Sequence, residues 1–172
     1  MKYAVVYESA TGNTKMLADE IRNALGEENC VWFGTPDENM PRGTEEAELL
    51  FLGFWTDKGE CSEKIGKYME TLHGQKVFLF GTAGFGGSEQ YFSQILSRVS
   101  AHLPEKNTVT GEYMCQGKMP QSVRKRYEAM QEKAPRDDKI KMMIDNFDKA
   151  ASHPDEADLH RLKDMLAELN AE

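Results

Sequence analysis

Residues 7 to 17 read YESATGNTKML, and the six at the centre, Ser9, Ala10, Thr11, Gly12, Asn13 and Thr14, are all small. Ser9, Thr11, Asn13 and Thr14 bring hydroxyl and amide donors, and Gly12 lets the backbone turn tightly. A helix beginning near Asn13 aims its unpaired N–H groups at the same point. Neutral donors converging in this way are suited to an anion, above all a phosphate. The loop itself holds no Lys or Arg, and Lys15 only follows it. A phosphate there is held by hydrogen bonds and the helix terminus rather than by a cationic clamp. A simple helix cap needs one or two such residues, not six in succession.

Other phosphate motifs are excluded. There is no G-x-x-x-x-G-K-[ST], and GTAGFGGSE (81–89) fails G-x-G-x-x-G because Glu89 takes the place of the third glycine counted from Gly84. Cys30, Cys61 and Cys115 are odd in number and widely spaced, without a C-x-x-C, so reduced thiols are expected rather than disulfides or a zinc knuckle. CQGK (115–118) closes the last strand-like run and borders the same end of the chain's architecture. A redox or nucleophilic role for Cys115 would need a lowered pKa, for which Lys118 is the basic neighbour. His73, His102, His153 and His160 pair with no Cys or Ser motif and are expected at the surface without a catalytic role.

The elements that must position the small-residue loop follow from hydrophobic period. Apolar runs without strict alternation occur at YAVVY (3–7), ELLFLGFW (48–55) and KVFLFG (76–81), with shorter ones at CVWF (30–33) and TVTGEYMC (108–115). Such runs suit parallel strands buried on both faces. Between them Leu17, Ile21, Ala24 and Leu25, then Ile65, Met69 and Leu72, then Phe92, Ile95, Leu96 and Val99 recur at helical spacing. Strand and helix alternate, which predicts an open, doubly wound α/β sheet with helices on both faces. Gly26, Gly34, Gly74 and Gly111 are expected to stop elements. After Pro120 three helices are predicted, separated at Pro135 and Pro154, as an extension over about 120–170 packed beside a core of about 2–118. The RKR run at 124–126 reads as a solvated helix face.

Composition sets the class. With 172 residues, 40% of them hydrophobic and 29% charged, the chain has the size of one domain with a real core. A formal charge of −8 disfavours nucleic acid and suits partners with basic patches, so an acidic partner is not expected. The first apolar run is far shorter than a membrane span and has no small-residue cleavage site, so neither an anchor nor a signal peptide is expected and the cytoplasm is the default.

On residues, SATGNT resembles the hydroxyl-rich loop [ST]-x-T-G-x-T of the flavodoxin family, whose ligand is flavin mononucleotide (FMN). GFWTDKGE (53–60) and GTAGFGGSE stand where that family places its flavin ring, after the third and fourth strands, and GFWTDKG and CQGK are similar to a subfamily found in anaerobic bacteria. The resemblance covers residues 2 to 118 and implies a five-stranded parallel sheet of order 2-1-3-4-5, with the loop after strand 1 holding the phosphate. The ring is a flat apolar body with polar edges, so it needs aromatic faces and backbone groups at its rim. Phe54, Trp55 and Phe85 are the expected faces, and Thr56, Asp57, Thr82 and Ala83 the rim. Gly53, Gly81, Gly84, Gly86 and Gly87 are expected to let the backbone approach. Many flavodoxins carry acidic ring loops, whereas here Lys58 follows Asp57, and an ammonium directed at the ring would raise the flavin's potential.

The resemblance implies electron transfer between redox partner proteins, by a monomer or a homodimer. An FMN-dependent reductase of a quinone, tetrapyrrole or other small substrate uses the same fold with an open ring face, the helical tail then serving as a lid. A flavin-free interaction protein is the third reading, and the intact phosphate loop speaks against it.

Overall fold

The computed structural model describes residues 1–37, 40 and 44–171. The five apolar runs form strands β1 (Tyr3–Tyr7), β2 (Cys30–Gly34), β3 (Leu49–Trp55), β4 (Lys76–Ala83) and β5 (Thr108–Gln116). All pair in parallel, in the order β2-β1-β3-β4-β5. The α-helices of the described residues are, in chain order, α1 (Asn13–Leu25), α2 (Glu63–Glu70), α3 (Glu89–Ser100), α4 (Gln121–Lys133), α5 (Asp138–Ala150) and α6 (Glu156–Leu169). This is the predicted architecture, including the three helices after Pro120.

Side-chain alternation in the strands builds two cores. On one face Leu50, Leu52 and Phe54 of β3 pack with Val6 and Leu79 beneath Ile65 and Met69 of α2 and Ile95 and Val99 of α3. On the other, Leu49 and Phe51 pack with Val5, Phe78 and Phe80 beneath Leu17 and Ile21 of α1 and Leu162 and Leu166 of α6. Helix α6 therefore belongs to the core layer beside α1 and not to an appended tail. Its start is fixed by reciprocal capping, Asp155 accepting from the Asp158 N–H and Asp158 from the Asp155 N–H.

Helices α4 and α5 form an antiparallel hairpin that packs on itself through Tyr127, Ile140 and Phe147, all buried. The Arg124 guanidinium lies 5.7 Å from the Phe147 ring centroid and pairs with Glu128 and Asp148, so the first cation of the RKR run is tied down. The hairpin leaves and rejoins the body at one point, where the Lys118 N–H donates to His153 O at 2.9 Å.

Gly111 does not stop an element; it lies inside β5. The register against β4 jumps there, Val77 facing Val109 and Phe78 facing Gly111, and an added Cβ would stand 2.5 Å from the Phe78 ring. The glycine marks a bulge at which a ring packs on bare backbone. No helix among the described residues is long and apolar enough to cross a membrane.

Candidate functional site

Parallel strands bring their carboxyl ends to one edge of the sheet, and the loop after β1 opens there. Gly12 caps α1 with φ of 90°, a left-handed conformation that favours glycine. The Ser9 hydroxyl accepts from the N–H groups of Gly12 and Lys15 at 3.1 and 3.3 Å and shapes the turn. Among the described residues the N–H groups of Ala10, Thr11, Asn13 and Thr14 have no acceptor, which leaves four neutral donors at a helix start. Lys15 pairs with Asp19 at 2.7 Å, so it does not reach into the loop. Asn13 latches the loop to the end of β5, donating to the Thr11 hydroxyl at 2.9 Å and to Lys118 O at 2.8 Å.

The loop after β3 makes the second wall. The Thr56 N–H donates to Thr82 O at 2.9 Å, holding the loop beside β4. Asp57 and Glu60 then exchange two backbone hydrogen bonds of 3.0 Å around Lys58 and Gly59, whose φ values of 52° and 78° define a tight hairpin turn of the I′ kind. Arg98 of α3 donates to Gly59 O at 3.3 Å. Opposite, the Gly84 carbonyl accepts from the side-chain amides of Gln116 and Asn146, each at 3.0 Å, so β5 and α5 together aim the loop that carries Phe85.

These segments enclose a cavity of about 730 Å³, in the range of cofactor sites. Ala10, Thr11 and Asn13 line one end, and Trp55, Thr56, Asp57, Thr82, Ala83, Gly84 and Phe85 line the rest, as expected from their loops. Ser9, Gly12 and Gly86 shape the walls from behind without lining them. Thr14 is buried, its hydroxyl bonded to Phe54 O at 3.1 Å and to the Thr82 hydroxyl at 3.0 Å, so it ties the loop to the sheet.

Phe54 corrects the expectation of a ring face. Its side chain is 1% exposed and sits in the α2/α3 core, because strand alternation sends it to the face opposite Trp55. Gly53 and Gly81 likewise serve packing and not the cavity: a Cβ at either would stand 2.3 Å from the Phe80 ring or 2.4 Å from the Phe54 ring. Cys115 is also corrected. It is 2% exposed, and burial, with Asp158 nearby, pushes its thiol up, the reverse of activation. His102 and His153 are not simple surface residues; they are half-buried and contact Glu60 with Glu70, and Asp158, respectively.

Several wall residues carry no signal in a linear motif: Tyr91 and Arg98 reach in from α3, Met119 from the segment just before α4, and Val123, Arg126 and Tyr127 from the first half of α4. The hairpin thus roofs the cavity. The lining also concentrates cations. Lys58, Arg98, Lys118 and Arg126 face it against Asp57 alone, and among the described residues none of the four forms an ion pair. In a chain of net charge −8 this is a local inversion of sign.

FMN fits these residues. The free N–H groups suit its phosphate, the flat walls of Trp55 and Phe85 suit its ring, and the Thr56 hydroxyl, buried with no partner among the described residues, needs a polar neighbour such as the ring edge supplies.

The profile of the Flavodoxin domain family matches residues 4–167. A flavodoxin-like domain-containing protein, BilS, of Clostridium symbiosum is 40% identical over 179 residues, covering 96% of this chain and 94% of that protein. BilS of Clostridioides difficile is 31% identical over 93% of this chain and 91% of its own. Among solved structures, two-electron reduced flavodoxin from Megasphaera elsdenii gives a TM-score of 0.50 at 25% identity, covering 70% of this chain and 89% of its own. Oxidised flavodoxin 2 from Bacillus cereus gives 0.58 at 16% identity over 97% and 96%, which speaks to the fold alone. A family match of that reach, on a sheet of this order, means that the chain belongs to the flavodoxin family.

Proposed function

We propose that the protein is a cytoplasmic FMN-binding electron carrier whose partner presents acidic groups to the mouth of the cleft. The observation that carries the reading is the cavity itself, with four free N–H donors at one end and aromatic walls at the other. Bound there, FMN supplies the redox chemistry, while the protein holds, shields and tunes it. Ala10, Thr11, Asn13 and Thr14 offer backbone donors to the phosphate, and Lys118, placed beside them by the Asn13 latch, offers a charge. Trp55 and Phe85 cover the ring. Lys58, Arg98 and Arg126 remain around its edge, a positive rim that attracts an acidic surface and stabilises negative charge added to the cofactor. Overall acidity suggests a basic partner, but a docking partner responds to the field at the cleft, which a Debye length of about 8 Å isolates from distant carboxylates at physiological salt.

The test uses small acceptors of opposite charge. The FMN-loaded protein is photoreduced and mixed with ferricyanide or with hexaammineruthenium(III) at rising ionic strength. Faster oxidation by the anion at low salt, slowed by added salt, is the expected result. If the cation is faster and salt slows it, the net charge governs the approach and the acidic-partner reading fails. Absence of FMN binding would remove the carrier reading altogether. A reductase of small substrates is favoured by one feature, the apolar roof of Met119, Val123 and Tyr127. Steady-state NAD(P)H oxidation, with and without a quinone, separates it from a carrier.

A further inference from the structure

Directly behind the turn that brings Lys58 and Gly59 to the cleft, three side chains converge. Glu60, Cys61 and His102 each place one ligand atom within 4.8 Å of the others. The imidazole of His102, just past α3, lies against α2 at Gly66, where an added Cβ would stand 3.1 Å from the ring. A glycine inside a helix is destabilising relative to alanine. Gly66 thus omits the side chain that would crowd this ring, at a position where one would strengthen the helix.

The two ring nitrogens have different surroundings. Nδ1 stands 3.2 Å from Glu70 Oε1, and Nε2 stands 3.4 Å from Glu60 Oε1. A carboxylate on one nitrogen fixes the tautomer and leaves the other as a lone-pair donor, the usual arrangement behind a metal-binding histidine. The second separation exceeds the ~2.9 Å preferred by an N–H···O bond. It agrees with two ligands of one tetrahedral ion, since bonds of about 2.0–2.1 Å place ligand atoms about 3.3–3.4 Å apart. The Cys61 N–H donates to the same Glu60 oxygen at 2.9 Å and holds the carboxylate in place, and the Cys61 side chain is buried.

A second cluster, His153, Asp155 and Asp158, shows what a satisfied group looks like. There the Arg161 guanidinium already sits on Asp158, and the remaining carboxylate oxygen serves the α6 cap. Among the described residues neither Glu60 nor Glu70 forms an ion pair with Lys or Arg, although the Lys67 ammonium, paired with Glu63, acts on Glu70 from farther away. Among the described residues no guanidinium or ammonium is bonded directly to a carboxylate of the first cluster, as Arg161 is to Asp158 in the second.

We propose that Glu60, Cys61 and His102 hold a divalent ion of the zinc class, with water in the fourth position and Glu70 orienting the histidine. Burial and a hydrogen bond to Glu60 push the Cys61 thiol up, so it gives up its proton to solvent only as the sulfur–metal bond forms; binding one ion releases one proton and changes no oxidation state. The ion cross-links the β3–α2 loop to the end of α3 and so fixes the Asp57–Glu60 turn from behind. The site stands independently of the flavin reading.

The test uses the full-length protein, stripped with chelator and titrated with Co²⁺ and Zn²⁺. One equivalent of Co²⁺ is expected to give a near-ultraviolet thiolate-to-metal band that Cys61→Ser abolishes. Glu70→Gln is expected to keep the band and weaken the metal about 10- to 100-fold, as loss of an orienting carboxylate does. Zn²⁺ is expected to raise the melting temperature of the wild type but not of His102→Ala, a truncation at a half-buried position that reads the site separately from Cys61→Ser. A thiolate band that survives in Cys61→Ser, a wild type that takes up no stoichiometric metal, or an equal Zn²⁺ response in His102→Ala overturns the proposal. FMN titration of the stripped protein is run alongside, so that loss of the flavin site and loss of the metal site are read separately.

Discussion

Two threonines of one loop are expected to fail in different ways when their hydroxyls are removed. Thr14 is fully buried, with its hydroxyl between Phe54 O at 3.1 Å and the Thr82 hydroxyl at 3.0 Å. Thr14→Val keeps the shape and strands those partners, which costs about 1–3 kcal/mol of stability. At roughly 2–4 °C per kcal/mol for a protein of this size, the flavin-free protein melts about 2–12 °C lower. Thr11 is exposed at the cavity; its hydroxyl accepts from Asn13 at 2.9 Å and donates only at long range, 3.5 Å, to Lys118 O, a bond that a phosphate oxygen can replace. Thr11→Val is expected to leave stability within about 0.5 kcal/mol. It removes one hydrogen bond to a charged phosphate, worth about 1.5–3 kcal/mol. That corresponds to roughly 10- to 150-fold weaker FMN binding. Riboflavin, which lacks the phosphate, is unaffected. Thermal melts without flavin and fluorescence titrations with FMN and riboflavin read both arms. A Thr14→Val protein with unchanged melting and a selective loss of FMN would refute the reasoning, because its hydroxyl would then face the phosphate.

Trp55→Ala is expected to restore flavin fluorescence and weaken both FMN and riboflavin, and unchanged quenching in a titration would move the ring contact to Phe85. Lys58→Met is expected to lower the flavin potential by tens of millivolts in a redox titration, 59 mV being a tenfold change for one electron; an unchanged potential would place the ammonium in solvent. Burial pushes the Cys115 thiol up in the folded protein, whereas unfolded it titrates near 8.5. Its contribution to stability is therefore complete below that pH and is lost as pH rises beyond it. Urea midpoints measured at about pH 7 and pH 10 are expected to fall less for Cys115→Ala than for the wild type, and parallel falls would mean that this thiol ionises freely.

The sheet was legible because parallel strands covered on both faces need unbroken apolar runs, and YAVVY, ELLFLGFW and KVFLFG are such runs. The donor loop was legible because its function lies in consecutive residues. Phe54 was misplaced although the needed signal was present: Leu50, Leu52 and Phe54 share a side of β3, so Phe54 and Trp55 cannot present faces to the same cleft. The contributions of Tyr91, Arg98 and Arg126 were not legible, because they depend on how far a side chain reaches from a helix packed by long-range contacts. The charge of the cleft escaped for the same reason. Net charge is a sum over the chain, and the field at a site depends on which few residues the fold gathers there.

The bond between Lys118 N–H and His153 O has a topological consequence. The chain departs from the body at the end of β5 and returns to the same place before entering α6, so α4 and α5 form an excursion whose two ends already touch. Replacing residues 119–152 by a short turn would ask nothing of the sheet order or of the α1/α6 layer, whose side chains all lie outside that stretch. What it removes is Met119, Val123, Arg126 and Tyr127 from the cleft, together with the Asn146 grip on Gly84. The roof is in this sense a detachable module: the scaffold can persist while the module is lengthened, shortened or exchanged, and which molecules meet the cofactor can change without the fold changing.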